Sequence, residues 1–283
     1  EISYMNTLKV ETLGEKELFK AACCNLSESF ETNPSVDVAI TDAVTGTKQI
    51  QMLGLDGKYS QITRESMPDV RGLSSIQGLT YTPGPWIESI QLNKGAGSVV
   101  NGFESVTGQI NVELVKPEEA DKWFLNGYAN QGGRSELNLN TSHQVSSHAA
   151  TGFLLHGNAR PMEVDGNGDG FLDFPTGYQV NGINRWKFNS FKGWEGQVGV
   201  KLLTEDRSGG QANSETIANP YRLGWKTNRY ELWGKTGYVF PKAKYKSIGF
   251  QGSAVYHDQT SNYGLRTYDA NQQSGYFNSI YQS

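Results

Sequence analysis

Oxygen-bearing side chains stand at positions 1, 3, 5 and 9 of the segment DGNGDGFLD, which runs from Asp165 to Asp173. Calcium takes roughly six to eight oxygen ligands, and loops of this kind supply them from alternate positions. Position 12 is Thr176, where a sensor protein has a bidentate glutamate. We therefore predict a weak structural calcium site; the alternative is a loop stabilised by Asx turns that holds no metal. The predicted ligands are Asp165, Asn167, Asp169, Asp173 and the backbone carbonyl of Phe171.

Other residues capable of chemistry do not form a catalytic pattern. No serine, cysteine or carboxylate lies in a recognisable catalytic string, so we predict that the chain is not an enzyme. Cys23 and Cys24 are adjacent, a spacing that rarely allows an unstrained disulfide and favours a packing role. A net charge of −4 argues against a nucleic-acid partner. The histidines are scattered without metal-site spacing, at positions His143, His148, His156 and His257.

A glycine-punctuated stretch, Trp86 to Leu114, is expected to position much of the chain before residue 116. Apolar residues alternate in Ile87 to Leu92 and in Gln109 to Leu114, which predicts two strands joined by a glycine-rich loop. A phosphate-binding loop would need Gly-Lys-Ser/Thr or a tighter glycine spacing before a helix, and neither is present. The glycines are therefore expected to serve tight turns or close backbone packing.

This stretch resembles the end of the plug domain of TonB-dependent outer-membrane receptors. In that family the motif begins with an Ile-Glu-x-Ile strand, continues with Lys/Arg-Gly-x-x-Ser and then Tyr-Gly or Asn-Gly, and ends with Gly-x-Ile-Asn. Upstream, Leu55-Asp56-Gly57 resembles the family's Ile-Asp-Gly turn, although Lys58-Tyr59 replaces its Val-Pro. The segment AACCNLSESFETNPSVDV is similar to receptors from Bacteroidetes. The matched residues are Ile87, Glu88, Ile90, Lys94, Gly95, Ser98, Asn101, Gly102, Gly108, Ile110 and Asn111. Structural roles in the plug are implied for Asp56, Gly57, Lys94, Gly95, Gly97, Gly102, Gly108 and Asn111.

The resemblance implies an α+β plug domain at 1–116, lodged inside transmembrane antiparallel β-barrel strands at 117–283. It implies active import of a scarce nutrient across the outer membrane of a Gram-negative cell: a siderophore, haem, cobalamin, a metal, or a glycan or peptide. Implied partners are that ligand, outer-membrane lipid and the periplasmic TonB complex; an outer-membrane lipoprotein partner stays open. Loops at the plug apex would contact the ligand through Thr41, Asp42, Thr45, Arg64, Glu65, Met67, Asp69 and Arg71.

Around the plug motif, weaker patterns predict a small mixed sheet with one helix. Asn25 can cap a helix that Pro34 ends, and alternation predicts strands at 36–40 and 49–55. Residues 58–86 contain three prolines and many glycines, which predicts an irregular excursion. The charged, proline-containing linker 116–122 marks the predicted domain boundary.

After residue 122 the pattern changes to one apolar and one polar face. Val198, Val200 and Leu202 alternate with polar residues, as do residues 229–240 and 248–257. Outer-membrane barrels join strands by short periplasmic turns and longer outer loops. We expect turns at 146–148, 192–193 and 241–246, and outer loops at 132–134, 159–182, 206–228 and 258–274. The calcium segment then lies on the outer side.

About eight strands fit into 117–283, whereas plugged transporters have ~22, so the sequence is expected to be part of a longer protein with an unclosed sheet. No apolar run approaches ~20 residues, and no transmembrane helix is predicted. Neither a signal peptide nor a TonB box is evident in EISYMNTLKV. Two alternatives stay open: a passive outer-membrane pore or anchor, and a secreted calcium-stabilised all-β binding module.

Overall fold

The computed structural model describes residues 10–14, 25–30, 36–42, 47–97, 104–189 and 192–283. Contacts divide the chain into two units: unit 1 is Glu1–Thr41 with Lys48–Val115, and unit 2 is Asp42–Thr47 with Lys116–Ser283. The described helices are short 3-10 turns: Glu28–Phe30, Gly57–Tyr59, Gly72–Ser75, Gly78–Tyr81 and Gly84–Trp86. The α+β description of the plug is therefore not confirmed.

Unit 1 is built on a five-stranded mixed sheet with the order β1-β6-β7-β4-β5. The hairpin β6–β7 is antiparallel, β4 lies parallel to β7, and β1 and β5 are the edges. A separate two-stranded sheet pairs β2 with β3. The strands are β1 (Val10–Gly14), β2 (Asp37–Asp42), β3 (Thr47–Gln51), β4 (Ser60–Arg64), β5 (Met67–Pro68), β6 (Ile87–Lys94) and β7 (Gly108–Leu114).

Two expectations for unit 1 need correction. Where the structure describes the helix predicted after Asn25, it contains the 3-10 turn Glu28–Phe30, and residues 31–35 lie outside the described residues. The Asn25 side chain accepts a hydrogen bond from the Ser27 amide at 3.0 Å. The excursion predicted at 58–86 contains β4, every residue of which is buried. The strand contains polar residues, so a hydropathy pattern does not predict that it is buried. The Thr63 hydroxyl can be buried because it donates its hydrogen bond to acceptors on β7 instead of to water.

Unit 2 contains one eight-stranded antiparallel sheet in which every strand pairs with its sequence neighbours. The order runs from β8 to β15 without a crossover, and β8 and β15 lie at the two edges. The eight predicted strands are therefore present, and within the described residues the sheet is open. The strands are β8 (Trp123–Ala129), β9 (Ser135–Ser146), β10 (Ala149–Arg160), β11 (Thr176–Asn189), β12 (Trp194–Gly210), β13 (Arg222–Val239), β14 (Ser247–Tyr263) and β15 (Arg266–Gln282).

The connections agree with the predicted alternation except at the last one. Short turns follow β9, β11 and β13, and longer loops occupy 161–175 and 211–221. The prediction of a loop at 258–274 is wrong: β14 and β15 pair along their whole length, and a tight turn at Gly264 and Leu265 connects them. The ladder between β14 and β15 is made by backbone groups, so polar side chains at these positions do not interrupt it. Polarity there was misread as a loop.

None of the helices in the described part of the chain has the length and apolar character needed to traverse a membrane.

Candidate functional site

Asn111 of the glycine-string motif organises the centre of the sheet in unit 1. Its Oδ1 accepts hydrogen bonds from the Ser66 amide at 2.8 Å and the Thr63 hydroxyl at 2.9 Å. Its Nδ2 donates to Glu113 at 2.7 Å and to Gln91 at 3.3 Å. The side chain is buried, and it joins β6, β7 and the β4–β5 turn. A structural role for this position therefore has a physical basis.

Two motif glycines are required by close backbone approach. A Cβ on Gly57 would lie 2.5 Å from the Ile50 carbonyl oxygen, and one on Gly108 would lie 2.6 Å from the Asn93 carbonyl oxygen. Backbone atoms cannot move aside as a side chain can, so both positions favour glycine. The Asp56 carboxylate accepts from the Lys58 amide at 3.1 Å and caps the turn. Lys94 lies 3.5 Å from Glu11, Gly95 and Gly97 follow β6, and Gly102 lies outside the described residues.

The proposed ligand-contacting residues between 61 and 71 are mostly buried, which corrects their assignment to a loop. Arg64 forms an ion pair with Asp69 at 3.7 Å, and both side chains are under a tenth exposed. Glu65 and Ser66 form the β4–β5 turn with positive φ values of 53° and 64°. Non-glycine residues adopt this region only when neighbours hold them there.

The neighbours that hold the turn come from β7. The Glu65 amide donates to the Val112 carbonyl at 2.9 Å, and the Glu65 carboxylate accepts from the Leu114 amide at 3.2 Å. Met67 is also buried, with 4% exposure. These residues have structural partners in unit 1, and ligand contact by them stays a prediction.

The remaining apex candidates are Arg71, Thr41, Asp42 and Thr45. Arg71 is about a third exposed and lies 3.9 Å from Glu104. Thr41 and Asp42 end β2, and Thr45 lies outside the described residues. Compared with Arg64, Glu65, Met67 and Asp69, Arg71 has the most exposed side chain.

The predicted calcium segment folds as an Asx-type loop. Asp165 accepts from the amides of Gly168 at 2.8 Å and Gly170 at 3.0 Å. Asn167 accepts from the Asp169 amide at 3.1 Å, and Asp169 accepts from Phe171 at 2.8 Å. The carboxylate of Asp173 accepts from Gly166 at 2.8 Å. In the ranges that the structure covers, no group of three or more His, Cys, Asp or Glu side chains could hold a metal ion. Calcium binding stays a prediction.

This loop is joined to the next long loop of unit 2. The Leu172 amide donates to the Gly210 carbonyl, and the Ala212 amide donates to the Gly170 carbonyl, both at 2.9 Å. Phe171 and Gln211 form an isolated antiparallel bridge between these bonds. The buried side chains of Leu172 and Ala212 accompany the pairing. Loops 161–175 and 211–221 therefore form one hydrogen-bonded pair.

A second group of residues, which the sequence alone did not single out, covers the polar face of the eight-stranded sheet. His156 bonds to Asn138 at 2.8 Å on one side and to Asn158 at 3.0 Å on the other. Gln179 donates to Glu205 at 3.3 Å and continues this network onto β12. All of these side chains except Asn158 are buried.

A further buried cluster joins β12, β13 and β14. Glu231 accepts from Arg229 at 2.6 Å and lies 3.9 Å from Lys201, and all three are buried. Gln259 lies 3.2 Å from His257, which in turn is 3.5 Å from Arg229. Buried charges are tolerated only when they are paired and hydrogen-bonded. This pairing explains why charged side chains can be buried on this face.

The opposite face of the same sheet exposes large apolar side chains. Leu125 is 71% exposed, Leu137 58% and Leu202 54%. Aromatic residues collect towards both strand ends; on β11, for example, Tyr178 and Phe188 are both about 45% exposed. At ~3.3 Å per residue and a tilt of ~40°, their separation of ten positions corresponds to about 25 Å, the height of a bilayer-facing band. This is the polar-in, apolar-out wall predicted from the sequence.

No family model matches the sequence, and no curated protein matches it. Solved structures do. The siderophore receptor PiuA from Acinetobacter baumannii matches with a TM-score of 0.69 and 13% identity over 95% of this chain and 41% of its own. FpvA of P. aeruginosa, in complex with pyoverdine and iron, matches with a TM-score of 0.63 and 12% identity over 95% of this chain and 45% of its own. The Serratia marcescens hemophore receptor HasR, in complex with its hemophore HasA and heme, matches with a TM-score of 0.60 and 8% identity over 99% of this chain and 50% of its own.

These neighbours are TonB-dependent outer-membrane receptors, and they are transport receptors instead of enzymes. The resemblance predicted from the glycine string is thereby confirmed at the level of the fold. The chain spans half or less of the length of the solved structures just named.

Proposed function

We propose that this chain forms the plug and the first barrel strands of an outer-membrane receptor that actively imports a scarce nutrient. The observation that carries the proposal is the reversed polarity of the eight-stranded sheet. Leucines lie on its exposed face, while Arg229, Glu231 and Lys201 are buried on the other. Complete transfer of an exposed leucine out of water contributes about 1.5–3 kcal/mol, and these partly exposed leucines would gain a part of that, so an apolar surrounding stabilises this face.

Membrane lipid supplies that surrounding for a barrel strand. The aromatic residues near the strand ends fit the two interfaces of a bilayer. The sheet of unit 1, with the motif at Asn111, supports the assignment of a plug at 1–116 followed by barrel strands at 117–283. In this proposal the molecule resides in the outer membrane of a Gram-negative cell.

The imported ligand is a small molecule or metal complex. The FpvA structure was solved with pyoverdine and iron, and the HasR structure with heme and its hemophore, so the fold accommodates cargoes of different chemistry. Coupling to the periplasmic TonB complex, which the family resemblance implies, would supply the energy. An outer-membrane lipoprotein partner stays open, and the plug-apex residues, Arg71 first, are the proposed plug contacts.

An uptake experiment tests the proposal. A strain that lacks the full-length protein is compared with the complemented strain for accumulation of iron–siderophores, haem, cobalamin and copper. We expect one cargo to accumulate only in the complemented strain, and a protonophore to abolish that accumulation. Uptake that a protonophore leaves unchanged would indicate a passive pore, and a protein that is absent from the outer-membrane fraction would refute the localisation.

A further inference from the structure

Three arginines lie side by side on the polar face of unit 2, at the strand ends that lead into the long loops. Arg160 pairs with Gly177 across β10 and β11, and Gly177 pairs with Arg207 across β11 and β12. Arg134 is the residue that precedes β9, the neighbour of β10. Gly177 lies between Arg160 and Arg207 in this row and contributes no side chain of its own.

Two of the arginines are matched by carboxylates one row further into the sheet. Arg134 contacts the Glu136 carboxylate at 2.5 Å, and Arg207 contacts that of Glu205 at 3.3 Å. Glu205 also accepts from Gln179 at 3.3 Å and from the Trp225 indole at 3.2 Å. Both carboxylates are therefore already engaged by groups of the protein.

The third guanidinium, on Arg160, has no such match. It lies over the Phe174 ring at 4.4 Å, and its buried Nε has no hydrogen-bond partner among the described residues. Arg160 is also within electrostatic range of Arg134 and Arg207, whose like charges repel it, and of Glu136, which attracts it but is already paired with Arg134. A buried N–H donor without an acceptor is destabilising, and an added acceptor would remove that penalty.

We infer that Arg160, flanked by Arg134 and Arg207, binds an anionic oxygen group, a carboxylate or a phosphate, of the transported ligand. The inference rests on the proposed import function. The planar guanidinium presents several N–H donors to two oxygens of one anion. All three arginines are partly accessible, and Tyr128 lies 5.9 Å from Arg134 as an aromatic neighbour. The excess of positive charge selects an anionic cargo over a free metal cation.

Binding to the purified full-length receptor in detergent tests the inference, with citrate and inorganic phosphate as anionic probes and glycerol as a neutral one. The readouts are calorimetry and the fluorescence of tryptophan, since Trp225 adjoins the Arg207–Glu205 pair. The variant Arg160→Gln should weaken citrate binding by about tenfold, the loss of one charged hydrogen bond. Arg160→Lys should retain most of the binding because it keeps the charge.

The matched control is Lys226→Gln, which removes a cation from an exposed position on the same sheet, 3.9 Å from Asp206. It should bind citrate as the natural protein does. Equal binding by Arg160→Gln and the natural protein would overturn the inference, as would no preference of the natural protein for citrate or phosphate over glycerol.

The uptake assay separates the two proposals. If Arg160→Gln imports the cargo as well as the natural protein while a protonophore still blocks import, the anion site is wrong and active import stands. If citrate binding depends on Arg160 but no cargo accumulates in an energy-dependent way, the anion site stands and active import fails.

Discussion

The two sheets of this molecule use the same strand geometry with opposite polarity. In unit 1 the apolar side chains of Trp86, Ile90 and Ile110 are completely buried. In unit 2 leucines are more than half exposed, and ion pairs are buried instead. The hydrophobic effect acts in both, but the medium that receives the apolar side chains differs: protein in one and, in our proposal, lipid in the other. Burial alone therefore does not identify the core of such a chain.

The largest expected effect follows from breaking the buried ions of unit 2. Glu231→Gln removes the carboxylate that Arg229 and Lys201 share, and loss of one partner from a buried ion pair typically costs about 3–5 kcal/mol. Denaturant unfolding of the full-length protein in detergent measures the change. Glu195→Gln, at an exposed position of β12, is the control and should differ little from the natural protein. Equal stability of both variants would mean that Glu231 is not a buried partner.

A charge on the exposed face should be nearly as damaging if that face contacts lipid. Leu202→Arg should destabilise the barrel by about 2–4 kcal/mol near the bilayer midplane. The matched change in unit 1, Ile76→Arg, also replaces an exposed aliphatic residue, and we expect it to be nearly neutral. Reversible folding into lipid bilayers compares the two. If Leu202→Arg is also neutral, the polarity comparison no longer implies a membrane.

A smaller and local effect is expected from the motif asparagine of unit 1. Asn111→Ala leaves the Ser66 amide without its side-chain acceptor, at a cost of about 1–3 kcal/mol. Hydrogen exchange of the full-length protein should become faster in β4, β5 and β7. Asn93→Ala is the control, because the buried Oδ1 of Asn93 has no hydrogen-bond partner among the described residues. Comparable acceleration in both variants would argue against a specific role of Asn111.

The smallest effect concerns the loop of unit 2 that carries Asp165 and Asp169. We expect this loop to bind calcium at ~10⁻⁴ to 10⁻³ M, as extracellular modules without strong ligand sets do. Replacing both residues with alanine should abolish the binding heat in calorimetry without altering the sheet. Asp269→Ala, at an exposed position of β15, should leave the heat unchanged. Binding that survives in the double variant would place any calcium elsewhere.

The sequence predicted most of unit 2 because alternation along a strand survives in both lipid and polar surroundings. Val198, Val200 and Leu202 lie on the exposed face as expected, and the short turns fall near their predicted positions. The pattern failed for β4, where Thr63 meets its hydrogen-bonding needs on a neighbouring strand, and at 258–274, where polar residues continue a paired ladder. Hydropathy does not record either kind of pairing.

The candidate sites were less predictable than the strands. The loop from Asp165 to Asp173 was visible because its residues are contiguous. Arg134, Arg160 and Arg207 are separated by long stretches of sequence, and only the cross-strand register brings them into one row. The burial of Arg64 and Glu65 was likewise invisible, because it depends on pairing with β7.

The hydrogen-bonded pair formed by loops 161–175 and 211–221 has a consequence for how the surface of this protein can diversify. Leu172 and Ala212 are buried where the loops pair, so we expect a residue change at either one to disturb the pairing and the two segments to vary together. In a chimera that takes one of these loops from a structurally similar protein, the hydrogen bonds to the Gly170 and Gly210 carbonyls would form only if the new loop fits the other one. An antibody raised against the folded surface would accordingly recognise a composite epitope, which a linear peptide of either loop does not reproduce.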